Sequence, residues 1–262
     1  MLLTNKNAVI YGAGGAIGGA VARAFAREGA RVFLAGDTQP PIDALAMEIA
    51  NTGGVAEAAL VDALDARGVE QHAKSIIEKA GSIDVSFNLI AIPHVHGKPY
   101  IDLSLEEFAQ PIGAFDTTHF LTATAAARHM VPAKAGVILM MMTTPAGRTA
   151  STFSGAFGPV CALIESFAKG LAAEVGPHGV RVVCLRSSGS PEAPGVLEAM
   201  KSHAKAEGKP LERFLADLTK GTLLGRLTKL TEVADVAAFL ASDRASAMTG
   251  TSANVSCGIG VD

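Results

Sequence analysis

Four glycines near the start of the chain, Gly12, Gly14, Gly15 and Gly18, have the spacing of a turn that can approach a phosphate group. Gly12 lets the chain turn sharply, and two residues without side chains let backbone N–H groups reach an anion. Asp37, which follows the next apolar run, suits a ribose hydroxyl. Together these residues predict a dinucleotide site. A turn of this kind is a weak signal by itself, and a retained fold with a blocked site is the alternative.

The same residues indicate which dinucleotide is preferred. Neither the segment 12–18 nor Asp37 offers a cation for the 2′-phosphate of NADP. The Asp37 carboxylate would repel that phosphate, because like charges at short range are unfavourable. The sequence therefore favours NAD over NADP as the cofactor.

Histidines are the other candidates for chemistry. His94 and His96 lie in the segment "AIPHVHGKPY", and His119 lies in a long helical pattern. A histidine can serve as acid or base near neutral pH. Loop histidines are usually solvated, however, and a helix histidine is usually satisfied at a helix contact, so both interpretations stay open. His-x-His without an evident third ligand does not predict a metal site.

The elements that must position these residues alternate along the chain. Short apolar runs predict strands, and i, i+3, i+4 apolar spacing predicts helices between them. The predicted strands are 8–11, 31–35, 56–61, 85–90, 137–142, 181–185 and 252–255. The predicted helices are 18–28, 42–51, 69–79, 105–129, 159–175 and 232–242. Such alternation indicates an α/β fold, a doubly wound parallel sheet of about seven strands with helices on both faces in three layers.

The chain shows no low-complexity linker and no internal repeat, so one dinucleotide-binding domain over residues 1–262 is the simplest expectation. Residues 187–224 break the rhythm, with Pro191, Pro194 and Pro210 around two short amphipathic pieces at 196–205 and 211–218. We expect this excursion to be a substrate lid. The alternative is a surface excursion without function.

Composition excludes several classes of protein. Of 262 residues, 49% are hydrophobic and 18% are charged, which predicts a compact globule rather than disorder. The net charge of −3 offers no basic excess for nucleic acid or an anionic membrane surface. No apolar run approaches the ~20 residues that span a bilayer. With Cys161, Cys184 and Cys257 far apart in sequence, free thiols in a cytoplasmic protein are expected.

The pattern Gly12-x-x-x-Ala16-Ile17-Gly18 resembles the TGxxxGIG motif of the short-chain dehydrogenase/reductase family. "LVDALD" at 60–65 is similar to the family's adenine-contacting segment, and "FNLIA" at 87–91 is similar to its NNAG motif. Residues 223–258 resemble the C-terminal signature, so the resemblance covers residues 5 to 262. It implies a Rossmann-type fold and a likeness to NAD(P)-dependent oxidoreductases. The cofactor-binding residues that it implies include Ile17, Asp62, Ala63 and Asn88, beside the glycines and Asp37.

The family's chemistry implies a Ser, a Tyr, a Lys four residues later, and an Asn. At these positions the chain carries Thr144, Phe157, Cys161 and Phe115. Only the Thr144 hydroxyl is left. No Tyr-x-x-x-Lys occurs anywhere, since neither Tyr11 nor Tyr100 has a lysine four residues on. Ordinary Tyr/Lys-dependent catalysis is therefore expected to be absent or very low. Pro159 predicts that this helix starts later than in relatives.

Three functions follow from the residues and the resemblance. The first is an NAD(P)-dependent oxidoreductase with a non-standard active site, acting on a small-molecule substrate. The second is a catalytically inactive nucleotide-binding protein or a partner in an oligomer. The third is non-redox chemistry, such as a lyase or isomerase reaction, that uses the histidine loop. The resemblance also implies a homo-oligomer, because the family packs the helices near 105–130 and 159–175 against those of a neighbour.

Overall fold

The computed structural model describes residues 1–143 and 153–259. Its strands are parallel and form one sheet in the order β3-β2-β1-β4-β5-β6-β7. Their bounds are β1 Asn7–Tyr11, β2 Arg31–Gly36, β3 Val55–Leu60, β4 Val85–Asn88, β5 Gly136–Thr143, β6 Val180–Ser187 and β7 Thr251–Val255. Each predicted strand is present, so the doubly wound parallel sheet is confirmed.

Helices cover both faces of this sheet. In the described residues they are α1 Ala16–Arg27, α2 Gln39–Asn51, α3 Ala66–Ala80, α4 Leu105–Ala133, α5 Phe157–Val175, α6 Pro194–Ala206, α7 Leu211–Lys220 and α8 Leu230–Ala241. Helices α3, α4 and α5 share one apolar core with the sheet. Helices α1, α2 and α8 share the other. The result is the three-layer sandwich that the alternation predicts.

Residues on the strands alternate between these two cores. In β1, Val9 and Tyr11 face the core of α3 to α5, while Ala8 and Ile10 face the opposite core. A strand buried on both faces needs a near-continuous apolar run, which explains why the strands are readable from sequence. The edge strand β3 differs, because its Glu57 is half-buried and pairs with Arg31 and Lys79.

The order of the strands fixes where a ligand crevice lies. The chain runs outward from β1 to β3 and then returns to β4 on the other side of β1. Tyr11 and Asn88 are paired at the carboxyl ends of β1 and β4. In doubly wound sheets ligands bind beyond such a switch point. The loops after β1 and β4 therefore border the site.

Some expectations about element ends were wrong. Strand β4 ends at Asn88 rather than at residue 90, because the Asn88 side chain turns the backbone by accepting the Ile90 N–H. Helix α5 begins at Phe157, which leaves Pro159 in its first turn, where proline is tolerated. The excursion 187–224 carries α6 and α7 at the predicted pieces.

None of the helices in the described ranges is both long and apolar enough to cross a membrane.

Candidate active site

The glycine turn begins where β1 ends. Gly12 has a positive φ of 77°, and a Cβ there would lie 2.6 Å from the carbonyl oxygen of Leu89. At Gly18 a Cβ would overlap the carbonyl oxygen of Gly12. The turn is held by the Gly15 N–H, which donates to Gly12 O at 3.1 Å, and Gly15 caps α1 without a side chain. The free N–H groups of the first turn of α1 therefore face the crevice, as phosphate binding requires.

Two carboxylates stand at the ends of neighbouring strands. Asp37 follows β2 and is exposed, and it accepts a hydrogen bond from the Thr38 hydroxyl at 3.1 Å. Asp62 follows β3 and accepts the Leu64 N–H at 2.8 Å, while the adjacent Ala63 is buried. Neither carboxylate forms an ion pair with a described residue. They suit the hydroxyl and amino groups of an adenosine half.

Asn88 has a structural task. It is 3% exposed, its Nδ2 donates to Thr122 Oγ1 at 3.1 Å, and its Oδ1 accepts the Ile90 N–H at 3.0 Å. Both ends of the amide are thus engaged within the protein. Asn88 fixes how the chain leaves β4, and with it the course of the loop beyond.

Phe115 and Phe157, at two of the positions where the resemblance implies catalytic groups, lie together; we call this part of the crevice the catalytic end. Their ring centroids are 6.1 Å apart. The face of Phe157 stacks on His94, with centroids 4.8 Å apart and planes within 15°. Phe115 meets the same imidazole edge-on at 5.9 Å. Helices α4 and α5 thus hold one aromatic group around His94, and this group contains no hydroxyl.

Cys161 lies one turn beyond Phe157 in α5. It is 1% exposed, and its Sγ accepts the Thr143 N–H from the end of β5 at 3.5 Å. Burial raises the pKa of the thiol to about 11, and the Thr143 N–H offsets only part of this. The sulfur is therefore neutral and supplies neither a fixed positive charge nor a thiolate nucleophile. Thr144 lies outside the described residues.

We call residues 92–98 the histidine loop. The Nδ1 of His94 lies 2.8 Å from the carbonyl oxygen of Ile92, so Nδ1 carries the proton and donates. The Nε2 is then an acceptor, and it is buried with no hydrogen-bond partner in the described part of the chain. Burial lowers the pKa of His94, and the Ile92 carbonyl opposes that shift.

His96 connects the histidine loop to the excursion. Its Nδ1 lies 3.1 Å from Nε2 of His203 in α6, so one ring donates and the other accepts. Burial lowers the pKa of His96 to about 4, and His94 and His203 lower it further by charge. Gly97 lies so close to α6 that a Cβ would be 2.7 Å from Ser202 O. Helix α6 therefore packs directly on the loop.

His203 was missed by the sequence analysis. The sequence pattern that could have indicated it is weak: His203 lies on the predicted amphipathic piece 196–205, beside the buried residues Met200 and Ala204. His119, by contrast, is separate from the histidine loop. It is 2% exposed, bonds Phe115 O through Nδ1 at 2.9 Å, and has its ring 6.4 Å from that of Phe115. Among the described residues no group of three His, Cys, Asp or Glu is arranged to hold a metal ion.

A parallel sheet with a glycine turn at its switch point defines a dinucleotide-binding class of protein, and comparisons with known proteins narrow it. The family model described as enoyl-(acyl carrier protein) reductase matches residues 12–260. Oxidoreductase UcpA of Escherichia coli strain K12 is 32% identical over 251 residues, which cover 95% of this chain and 92% of that protein. The chain belongs to the short-chain dehydrogenase/reductase family, a family of oxidoreductases.

Two further relatives agree. L-rhamnose 1-dehydrogenase (NAD(P)(+)) of Azotobacter vinelandii is 30% identical, with 100% of this chain and 99% of that protein covered. The crystal structure of a short-chain type dehydrogenase/reductase from Mycobacterium marinum superposes with a TM-score of 0.83 at 27% identity. That match covers 99% of this chain and 97% of the other. The likeness therefore extends over the whole length of the fold.

Proposed function

We propose that the protein is an NAD-dependent oxidoreductase whose active site works without the Tyr/Lys pair of its family. The exposed Asp37 carries this proposal, because it follows β2 beside the glycine turn that begins α1, where a carboxylate suits a ribose hydroxyl. The residues that hold the cofactor are Gly12, Gly14, Gly15, Ile17, Gly18, Asp37, Asp62 and Ala63, with Asn88 shaping the floor. When bound, NAD supplies the acceptor for a hydride.

The preference for NAD rests on charge. Asp37 is exposed and carries no cationic partner among the described residues, so it accepts hydrogen bonds from a ribose diol and repels a 2′-phosphate. The named cofactor of the rhamnose dehydrogenase relative is NAD(P)(+), which includes both forms. In this chain the charge of Asp37 favours NAD over NADP.

The residues of the catalytic end keep the reacting centre dry. Phe115 and Phe157 present ring surfaces where the family carries polar groups, and Cys161 stays a neutral thiol. Exclusion of water strengthens every hydrogen bond made to a substrate oxygen. Thr144 is the hydroxyl that orients this oxygen. The substrate is a small molecule with an apolar body.

The excursion 187–224 serves as the lid of the single 1–262 domain. Met200, Ala204 and Phe214 form a small core of its own, and His203 ties it to the histidine loop. A lid with its own core can move as a unit. A homo-oligomer through α4 and α5 is supported by Phe120, which is 49% exposed with its ring 6.0 Å from that of Phe167. We place the protein in the cytoplasm.

Calorimetric titration and a turnover assay together test this function. We expect the protein to bind NADH more tightly than NADPH and to oxidise or reduce members of a panel of apolar alcohols and ketones. Asp37→Asn should narrow the gap between the two cofactors. Glu78→Gln, on an exposed residue at the C-terminal end of α3, is the matched control. Absence of binding by either cofactor would refute the proposal.

A second function is favoured by the stack of Phe157 on His94. This stack occupies the place of the family's reacting hydroxyl with two flat rings in contact. A protein that binds the nucleotide but turns nothing over, and acts as a partner or sensor, would have this geometry. Tight NADH binding without turnover on any member of the panel would select this second function.

A further inference from the structure

His94 Nε2 is a buried acceptor without a partner, one ring away from the position that lacks its hydroxyl. The Ile92 carbonyl fixes the proton on Nδ1, so the lone pair of Nε2 points away from the backbone. Phe157 covers one face of the ring and Phe115 meets it edge-on. A hydrogen bond at one ring nitrogen and ring contacts on the other sides hold an imidazole in one orientation and one tautomer.

We infer that His94 is the acid/base of this site and that its substrates are apolar secondary alcohols and the matching ketones. This rests on the proposed function. In the oxidation, the alcohol O–H bond breaks and its proton goes to His94 Nε2. The C–H bond breaks and its hydrogen leaves with both electrons to the oxidised nicotinamide. The C=O bond forms, and the reduction reverses each step with His94 as the proton donor.

Two further imidazoles, those of His96 and His203, lie beside His94. The His96 ring lies with its centroid 4.3 Å from that of His94, and His96 Nδ1 is hydrogen-bonded to His203 Nε2 in α6. His203 is half-buried, and burial lowers its pKa, although Glu207, the residue that follows α6, opposes part of this shift. His96 therefore contacts His94 through its ring and ties the histidine loop to α6 through its hydrogen bond with His203.

The groups that surround His94 determine its pH behaviour. His96 faces it from its own loop and His203 from α6, and both disfavour a second positive charge. One turn beyond Phe115 on α4 lies His119, and one turn beyond Phe157 on α5 lies Cys161. Since burial also opposes protonation, the pKa of His94 lies below its ordinary value, and His94 is a free base in neutral and alkaline solution. Oxidation should be level there and fall in acid.

Entry of a substrate requires the lid to open. The Nε2 of His94 is shielded from solvent, and α6 lies on the histidine loop with Gly97 against Ser202. The hydrogen bond between His96 and His203 is the polar link that must break. The substrate hydroxyl then supplies the partner that Nε2 lacks, and closure of α6 excludes water from the pair.

The first measurement uses no turnover. Long-range ¹H–¹⁵N NMR of the ring nitrogens of the native protein should find His94 protonated on Nδ1. The Nε2 signal should shift when 2,2,2-trifluoroethanol is added with NAD. A proton on Nε2 in the native protein would overturn the inference, because that nitrogen could not act as the base.

The second measurement follows turnover of 2-butanol, cyclohexanol and 1-phenylethanol with NAD. We expect His94→Gln to lower kcat about 10²-fold or more with little change in KM. Added imidazole should restore part of the activity of His94→Ala, which a purely structural role would not allow. His178→Gln, at an exposed position, is the control. A kcat within about threefold of the native value in His94→Gln would overturn the inference while leaving the proposed function intact. Loss of activity that imidazole does not restore would overturn it in the same way, and absence of native turnover would overturn both.

Discussion

Because of His119, the free energy of unfolding should decrease in mild acid. The residue is 2% exposed within the core of α3 to α5, and its Nε2 has no partner in the described part of the chain. Burial lowers its pKa from 6.5 to about 4, and the Phe115 carbonyl and Asp116 only partly oppose this. The perturbation is His119→Leu, which removes the titrating group and keeps a side chain of similar volume.

The sign follows from where the proton binds. Between about pH 6.5 and pH 4 the unfolded chain holds a proton on this residue that the folded protein does not, so acid favours unfolding. Above about pH 6.5 His119 is neutral in both states and does not reduce the free energy of unfolding. As the pH falls toward 4, the free energy of unfolding decreases, because only the unfolded chain takes up the proton. At about 1.4 kcal/mol per pKa unit, the full loss is on the order of 3 kcal/mol. Between about pH 7.5 and pH 5 it is about 2 kcal/mol.

Urea unfolding followed by circular dichroism at several pH values measures this difference. We expect the native protein to lose about 2 kcal/mol more than His119→Leu between about pH 7.5 and pH 5. His72, whose pKa burial also lowers to about 4, contributes equally to both proteins and cancels. His178→Leu, at an exposed position, is the control and should follow the native protein. Equal losses in the native protein and in His119→Leu would refute the reasoning.

Two further substitutions test the nucleotide end and the catalytic end. Gly18→Ala places a Cβ against the backbone at Gly12 and Ala13. It should lower the free energy of unfolding by about 1–3 kcal/mol and weaken NADH binding measured by calorimetry. Gly113→Ala, where a Cβ meets open space, is the control and should do neither. The double change Phe157→Tyr with Cys161→Lys restores the family's pair but buries an ammonium where a neutral thiol accepts the Thr143 N–H. It should lower the melting temperature and reduce native turnover, and a variant more active than the native protein would show that the site is a decayed form of the familiar one.

The layers of the fold could be predicted because buried strands and helices have periodic patterns of apolar residues in the sequence. Strands buried on both faces need runs such as Ala8–Tyr11, and helices on one face need i, i+3, i+4 spacing. Ends of elements follow local chemistry that periodicity does not record. Asn88 ends β4 through its own side chain, and α5 begins at Phe157, so that Pro159 lies in its first turn.

The candidate site was readable only in part. Residue identities at Phe115, Phe157 and Cys161 already indicated a pocket without the usual acid/base. The bond between His96 and His203 joins positions 107 residues apart, and neither periodicity nor a motif records such a contact. The stack of Phe157 on His94 likewise depends on how a loop packs against a helix from another part of the chain. Such contacts are set by tertiary packing, so local sequence patterns do not predict them.

The two ends of the crevice differ in what their residues imply. Gly12 and Gly18 are required by backbone contacts whether or not a nucleotide binds, since a Cβ at either would strike Leu89 or Gly12. The glycines alone therefore say less about the cofactor than does Asp37, whose exposed carboxylate no packing contact requires. At the other end Phe115 and Phe157 touch each other and both touch His94. Phe115 and Phe157 thus form one packed group around His94, whose Nε2 is a buried acceptor with no hydrogen-bond partner among the described residues.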